Sequence, residues 1–208
     1  QEFYAENASI NPVEVYKHLN KISEPPFASF LKLDNKIALC ASPERYIKKE
    51  GLKIISQPIK GTAKRVQSKF DDTQLASNLM QDQKERAENV MIVDLVRNDL
   101  SKTAKRGSVK VEELCKVYSF KQVHQLISTV VSEIKENIHP VDVIKDTFPM
   151  GSMTGAPKIA AMKIIEEFEE SKRGLYSGTV GYFTPESDFN FNVIIRSILY
   201  NKDKGYIS

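Results

Sequence analysis

The chain has 208 residues, 41% of them hydrophobic and 27% charged, which is ample for a real core in one large domain or two small ones. With 30 basic and 27 acidic residues the net charge is only +3, and lysine and arginine are spread rather than blocked, so nothing points to nucleic acid or an anionic membrane as the main partner. No apolar run approaches the ~18–20 residues of a transmembrane helix, and no signal-peptide pattern is present, so a cytoplasmic protein is expected.

The first sixty residues read as a short helix and a strand meander. Asn11-Pro12 before Val13, Val15, Tyr16 and Leu19 predicts a helix with proline in its first turn. Pro25-Pro26 closes that segment. Residues 27–33 have a strand pattern, Asp34-Asn35 a turn, and residues 36–41 the return strand. Ser42-Pro43-Glu44-Arg45 breaks that strand and Tyr46-Ile47 resumes it. The meander closes at Gln57-Pro58-Ile59-Lys60-Gly61-Thr62. Pro58 fixes the backbone before Lys60 and Gly61 frees it just after, which places Lys60 at a strand end in a stiff corner. Two readings stay open: a solvated lysine on a surface turn, or a lysine placed for chemistry.

Residues 63–72 show no periodicity and are expected to form a loop. Helical periodicity begins at Thr73 and runs, with a break, to Leu100; the second half is apolar nearly all round and predicts a buried helix. Glu85 and Glu88 are spaced i, i+3, so they share a face with Cβ atoms roughly 5–6 Å apart. They either complement the dipole of a solvated first turn or form a hard-cation site, since Mg²⁺ prefers one or two carboxylates with waters and a ligand oxygen. Gly107-Ser108 opens a strand at 109–111, residues 117–120 suggest another, and residues 123–134 favour strand through their Val, Ile, Ser and Thr. His124 reads there as a satisfied buried or edge histidine. Cys40 and Cys115, lacking CxxC or HxxC spacing, are expected as core thiols in a reducing compartment. Asn7-Ala8-Ser9 is a chance glycosylation sequon.

Pro140 starts a short helix to Thr147. Phe148-Pro149-Met150-Gly151-Ser152-Met153-Thr154-Gly155-Ala156-Pro157-Lys158 then precedes an amphipathic helix over 159–170, with Ala161, Ile164, Ile165 and Phe168 as its apolar stripe. Such a loop offers free N–H groups to an anion or is simply a well-capped turn; it is no P-loop, because Lys158 follows a proline. Residues 176–184 read as a strand whose Gly178 and Gly181 admit a close neighbour. Pro185-Glu186-Ser187-Asp188 is a hairpin turn, and 189–200 the partner strand. Arg196 in that apolar strand needs a carboxylate, from the protein or from a substrate. The chain opens at Gln1 without an initiator methionine and closes on a strand just begun, so a piece of a longer protein is expected. Together the elements predict an α+β fold with largely antiparallel sheets.

Five motifs then stand in one order: Ser42-Pro43-Glu44-Arg45, Pro58-Ile59-Lys60-Gly61-Thr62, Ala87-Glu88-Asn89 through Asn98-Asp99-Leu100, Gly151-Ser152-Met153-Thr154-Gly155-Ala156-Pro157-Lys158, and Ile195-Arg196. Their order resembles that of the chorismate-utilising enzymes over essentially the whole chain. The resemblance implies one chorismate-binding domain over residues 1–208, with two large, mostly antiparallel β-sheets packed face to face, helices outside and the active site between them. It also implies that a strand, a glycine-rich turn and a helix carrying a second pair of metal-binding glutamates come after Ser208.

A lysine inside the Pro-Ile-x-Gly-Thr motif resembles the branch that makes 4-amino-4-deoxychorismate for p-aminobenzoate and folate; the anthranilate branch typically carries alanine there. By that resemblance Lys60 is the nucleophile and Glu44 the acid/base. Glu88 is a direct Mg²⁺ ligand, with Glu85 behind it. Arg196 and Tyr182 hold the enolpyruvyl carboxylate, and Gly61, Thr62 and Ser152 line the pocket. Lysine attacks only as the neutral amine, which burial favours, and a glutamate in a dry pocket can hold a proton. Ammonia is expected from a separate glutamine amidotransferase subunit. One departure stands out: where the family has histidine before the Leu-Ile/Val-Ser step, this chain has Gln125, with His124 facing the other way on a strand. That argues against an aromatising activity. Anthranilate synthesis, and a non-catalytic fragment that only binds chorismate or the amidotransferase, are the alternatives.

Overall fold

A computed structural model describes residues 2–208. The chain divides into two compact units, each gathered from distant segments: residues 1–44, 172–180 and 192–208 form one, residues 45–171 and 181–191 the other.

The first unit carries helix α1 (Pro12–Ser23) and strands β1 (Phe27–Leu33), β2 (Lys36–Ser42), β10 (Ser197–Asn201) and β11 (Tyr206–Ile207). Helix α1 starts as its sequence predicts: Asn11 Oδ1 accepts from the N–H groups of Val13 and Glu14, and Pro12 takes a first-turn position where no N–H is needed. The strands form an antiparallel sheet in the order β1-β2-β10-β11. Ile37, Leu39 and Tyr200 make its core, covered by Val15, Tyr16 and Leu19 of α1.

The second unit is built on a seven-stranded sheet: β3 (Arg45–Glu50), β4 (Lys53–Gln57), β5 (Ile59–Lys64), β6 (Lys110–Ser119), β7 (Val123–Glu133), β8 (Gly181–Phe183) and β9 (Phe189–Asn192), whose last residue belongs to the first unit. Strand β7 is its spine. One edge pairs with β6, and the other with β4 and β5 in succession. Pro58 joins β4 to β5 without a ladder donor, and its carbonyl accepts from the Ser128 N–H. Helices α2 (Lys69–Gln81) and α3 (Gln83–Thr103) pack on β5, β6 and β7. Asp82 supplies the anticipated break, closing α2 and capping α3 by accepting from the N–H groups of Lys84 and Glu85. Helix α4 (Pro140–Thr147), a 3-10 turn (Gly151–Met153) and helix α5 (Lys158–Phe168) complete the unit. The antiparallel α+β class is therefore observed.

Several elements differ from the sequence reading, each for a tertiary reason. The expected loop at 63–72 shrinks to residues 65–68, because pairing with β7 extends β5 to Lys64 and Ser68 caps α2 early. The two strands expected at 109–111 and 117–120 are the single strand β6, kinked at Cys115 with φ +50°. The strand expected over 176–184 shortens to β8, because Ser177 (φ +66°) and Gly178 close a turn onto Arg173 and Leu175. The partner strand at 189–200 splits into β9 and β10, which join different sheets. Helix α5 has its apolar stripe but buries no residue; Phe168 is 73% exposed. Helix α3 buries Ile92, Val93, Leu95, Val96 and Leu100 but leaves Val90 and Met91 exposed, so it is buried on one side only.

Candidate active site on helix α3 and strand β5

Lys60 does not end the preceding strand. It is the second residue of β5, inside a β-bulge. Ile59 pairs with Ile127 and Thr62 with Gln125, so Lys60 and Gly61 together oppose Leu126 alone. The extra residue is absorbed by Gly61 at φ +92°, a conformation that costs glycine little and other residues much. A bulge twists its strand and re-aims the side chains around it, and Lys60 is left half-buried.

The bulge takes two carbonyls out of the ladder, and helix α3 restores their partner. Asn89, 1% exposed, donates Nδ2–H to the carbonyl oxygens of Lys60 (3.4 Å) and Leu126 (3.3 Å). Its Oδ1 accepts from Ser128 Oγ at 2.5 Å and from Cys115 Sγ at 3.6 Å. Ser128 Oγ in turn accepts from the Cys115 N–H at 2.9 Å. A second bulge lies there, where Leu114 and Cys115 oppose Ser128. The sequence reading passed over this network. Its one visible signal is an asparagine inside an apolar helical stretch, where it is a poor helix former unless it has a partner.

One turn before Asn89, the Glu85 side chain lies over Gly61. A Cβ built at position 61 would stand 3.2 Å from Glu85 Cβ, 3.2 Å from Glu85 Oε2 and 3.0 Å from Leu126 Cδ1. Glu88, also half-buried, comes at i+3, and Ile92 and Leu95 continue the same stripe. The far end of the stripe meets Gly151, whose missing Cβ would sit 2.9 Å from Leu95 Cδ2. Helix α3 thus brings Lys60, Gly61, Glu85, Glu88 and the loop of Ser152 along one face.

That loop is held by Lys158, whose sequence reading stopped at its lack of a P-loop context. Its Nζ donates to Asp99 Oδ2 on α3 at 2.5 Å, and to the carbonyls of Thr147 (3.0 Å) and Pro149 (2.6 Å). Burial pushes the Lys158 ammonium below its usual range, and Asp99 opposes that shift. Ser152 Oγ is shielded from solvent and has no hydrogen-bond partner among the described residues. Thr62 is exposed and pairs across the ladder with the fully buried Gln125, whose Oε1 likewise lacks a partner among the described residues. His124 faces the opposite way, with Nε2 3.1 Å from Asp72 Oδ1 and Nδ1 2.8 Å from Ser119 Oγ, so it is a satisfied buried histidine. Tyr182, on edge strand β8, is 60% exposed.

Glu44 and Arg196 belong to the first unit. Glu44 is 4% exposed, its N–H bonded to Ser42 Oγ and its carbonyl accepting from the Val193 N–H. Arg196 is not in a strand. It sits between β9 and β10 with φ +51°, its backbone carbonyl accepts from the Ala41 N–H, and its side chain is exposed. Of the two carboxylate sources left open for it, the protein supplies none among the described residues. Nor does any group of three or more His, Cys, Asp and Glu side chains there converge as a metal cage.

An antiparallel α+β chain with this ordered motif set belongs to the chorismate binding enzymes, whose family description matches residues 1–208. Aminodeoxychorismate synthase component 1 of Bacillus subtilis is 39% identical over 194 residues, covering 93% of this chain and 41% of the relative. Anthranilate synthase component 1 of Aquifex aeolicus is 40% identical over 190 residues, covering 91% of this chain and 38% of the relative. The crystal structure of anthranilate synthase component I from Streptococcus pneumoniae superposes with a TM-score of 0.87 at 31% identity, over 99% of this chain and 44% of that one. The chain thus spans about two fifths of the length of these two relatives. No helix among the described residues is long and apolar enough to cross a membrane.

Proposed function

We propose that this chain is part of an aminodeoxychorismate synthase component I, in which Lys60 is the nucleophile. The observation that carries the reading is a lysine on a bulged strand, beside a glycine at φ +92° that the Glu85 carboxylate of helix α3 overlies. The neutral Lys60 amine adds at C2 of the chorismate ring, both ring double bonds shift in the conjugated sense away from C2 toward C4, and the C4 hydroxyl leaves as water with a proton from Glu44. Ammonia then adds at C4, both double bonds return to their original places, the C2–N bond to Lys60 breaks, and the added ammonium loses a proton. Arg196 and Tyr182 hold the enolpyruvyl carboxylate, a task suited to a planar guanidinium, and Gly61, Thr62 and Ser152 line the pocket. The exposure of Arg196 and Tyr182 supports a role toward a ligand rather than toward the core.

The paired carboxylates fit Mg²⁺: two half-buried oxygen ligands on one helix face suit an ion that keeps waters and a substrate oxygen in its shell. Glu88 would hold it directly, with Glu85 behind. The bound ion would neutralise the ring carboxylate of the substrate. Ammonia comes from a glutamine amidotransferase subunit, the whole belongs to a cytoplasmic route to p-aminobenzoate and folate, and residues 1–208 are part of one chorismate-binding domain. Buried, unpaired Cys40 and Cys115 support the reducing compartment.

Similarity to the Aquifex aeolicus anthranilate synthase component 1 keeps one second reading, anthranilate formation. Full-length protein with chorismate, Mg²⁺ and ammonia separates the two. The expected product is 4-amino-4-deoxychorismate, and Lys60→Ala is expected to lose most of that turnover. Fluorescent anthranilate as the main product, or full turnover by Lys60→Ala, overturns the reading.

A further inference from the structure

The two bulges that flank β7 share one buried plug. In β5 the bulge at Lys60 and Gly61 opposes Leu126; in β6 the bulge at Leu114 and Cys115 opposes Ser128, two residues further along. Each bulge leaves backbone groups without a ladder partner. The Asn89 amide serves the Lys60 and Leu126 carbonyls, and the Ser128 hydroxyl serves the Cys115 N–H. Ser128 and Asn89 are joined to each other at 2.5 Å, and both are buried.

We infer that Asn89 and Ser128 are positioning residues for Lys60. Their hydrogen bonds reach the Lys60 carbonyl rather than its amine. Resting on the nucleophile reading above, they act through the Lys60 carbonyl, fixing where the lysine's Cα lies against the helix that carries Glu85 and Glu88. The two acceptor contacts at 3.3–3.4 Å are long for an amide donor, so one Nδ2 group spans a gap rather than closing a tight bond. Two orphaned carbonyls, and a lysine whose backbone can relax away from the helix, are what remain when the amide is removed. Asn89 comes directly after Glu88, so one helix both presents the carboxylates and sets the lysine's position. Side-chain networks of this kind are worth more as a unit than as separate bonds.

The test uses the full-length protein with chorismate, Mg²⁺ and ammonia, and compares Asn89→Ala, the near-isosteric Asn89→Asp, Ser128→Ala, Lys60→Ala and the double variant Lys60→Ala/Asn89→Ala. A displaced nucleophile lowers kcat per folded molecule on the order of 10- to 100-fold while KM for chorismate stays within about threefold. Ser128→Ala is expected to change in the same direction with a smaller loss. In the Lys60→Ala background the Asn89 change is expected to add nothing, an outcome that a merely structural role does not produce. Should Asn89→Ala fail to fold, Asn89→Asp and Ser128→Ala carry the same comparison. Folded variants with kcat within about twofold of the parent overturn the inference, as does a full additional loss in the double variant. If Lys60→Ala itself retains turnover, the nucleophile reading fails; if only the Asn89 and Ser128 variants retain it, this inference alone fails.

Discussion

The Glu85 carboxylate lies over Gly61, with Oε2 3.2 Å from where a Cβ would stand. A glycine is needed there twice over, for its φ of +92° and for the room it leaves the glutamate. Gly61→Ala meets both obstacles, and its Cβ also crowds Leu126 Cδ1 at 3.0 Å. The expected cost is about 1–3 kcal/mol in urea unfolding, the range for backbone strain held at a site. Activity is expected to fall further than that loss of folded protein explains, because Glu85 must move. An alanine variant with unchanged stability would show that the bulge relaxes freely.

The two glutamates are expected to separate in a metal titration. On the proposed assignment Glu88→Gln removes a direct ligand, so the Mg²⁺ dependence of turnover should shift to concentrations too high to saturate readily. Glu85→Gln, on the same assignment an outer group, is expected to weaken the apparent Mg²⁺ affinity about 10- to 100-fold. Calorimetry of Mg²⁺ binding in the presence of chorismate reads both, and equal effects would contradict the assignment of direct and outer positions.

Asp99 and Lys158 should respond unequally to truncation. Their side chains are 6% and 10% exposed, so each is costly to leave unpaired. Asp99→Ala strands Lys158 among carbonyls and is expected to cost about 3–5 kcal/mol. Lys158→Met leaves Asp99 with Lys102, 3.0 Å away, and is expected to cost less. Urea unfolding of the two variants gives the order, and the reverse order would refute this account of the loop.

Asp72 is expected to mark the acid limb of stability. Two hydrogen bonds from Arg65 Nε, then the Val66 N–H, hold its carboxyl down at about 2. An unfolded aspartate titrates near ~3.9. Its contribution is therefore complete above about pH 4 and is lost as the pH falls from there toward about 2. Asp72→Asn is expected to flatten the stability profile in that window and to leave the slope above pH 5 unchanged. A profile as steep as the parent's between pH 4 and pH 2 would assign acid unfolding to other carboxylates.

Local chemistry explains what could be read in advance. The Asn11-Pro12 cap, the Asp34-Asn35 turn, the helix from Pro140 to Thr147 and the shared face of Glu85 and Glu88 all depend on residues within a few positions of each other. Gly61 was legible too, as a point of backbone freedom. The bulge around it was not, because its existence depends on Leu126, more than sixty residues on. Arg196 was misplaced for a related reason. The run from 189 to 200 alternates like one strand, yet β9 and β10 pair with different sheets, and the chain must break between them. Periodicity reports a preference for extended backbone but not which neighbour the strand will find. The exposed stripe of α5 shows the same limit, since amphipathicity announces an apolar face without naming what covers it.

The order of the strands has a consequence for how the protein is made. Strand β2 takes β10 as its neighbour, and β3 takes β9, so positions near 40 and 47 wait for partners near 200 and 190. On a ribosome, both early strands emerge long before their mates and must keep an open edge until the segments near 190 and 200 are out. Pairings this distant make for slow folding. Emergence of the segment from 189 to 207, rather than of either early hairpin, is the moment at which both sheets can first close.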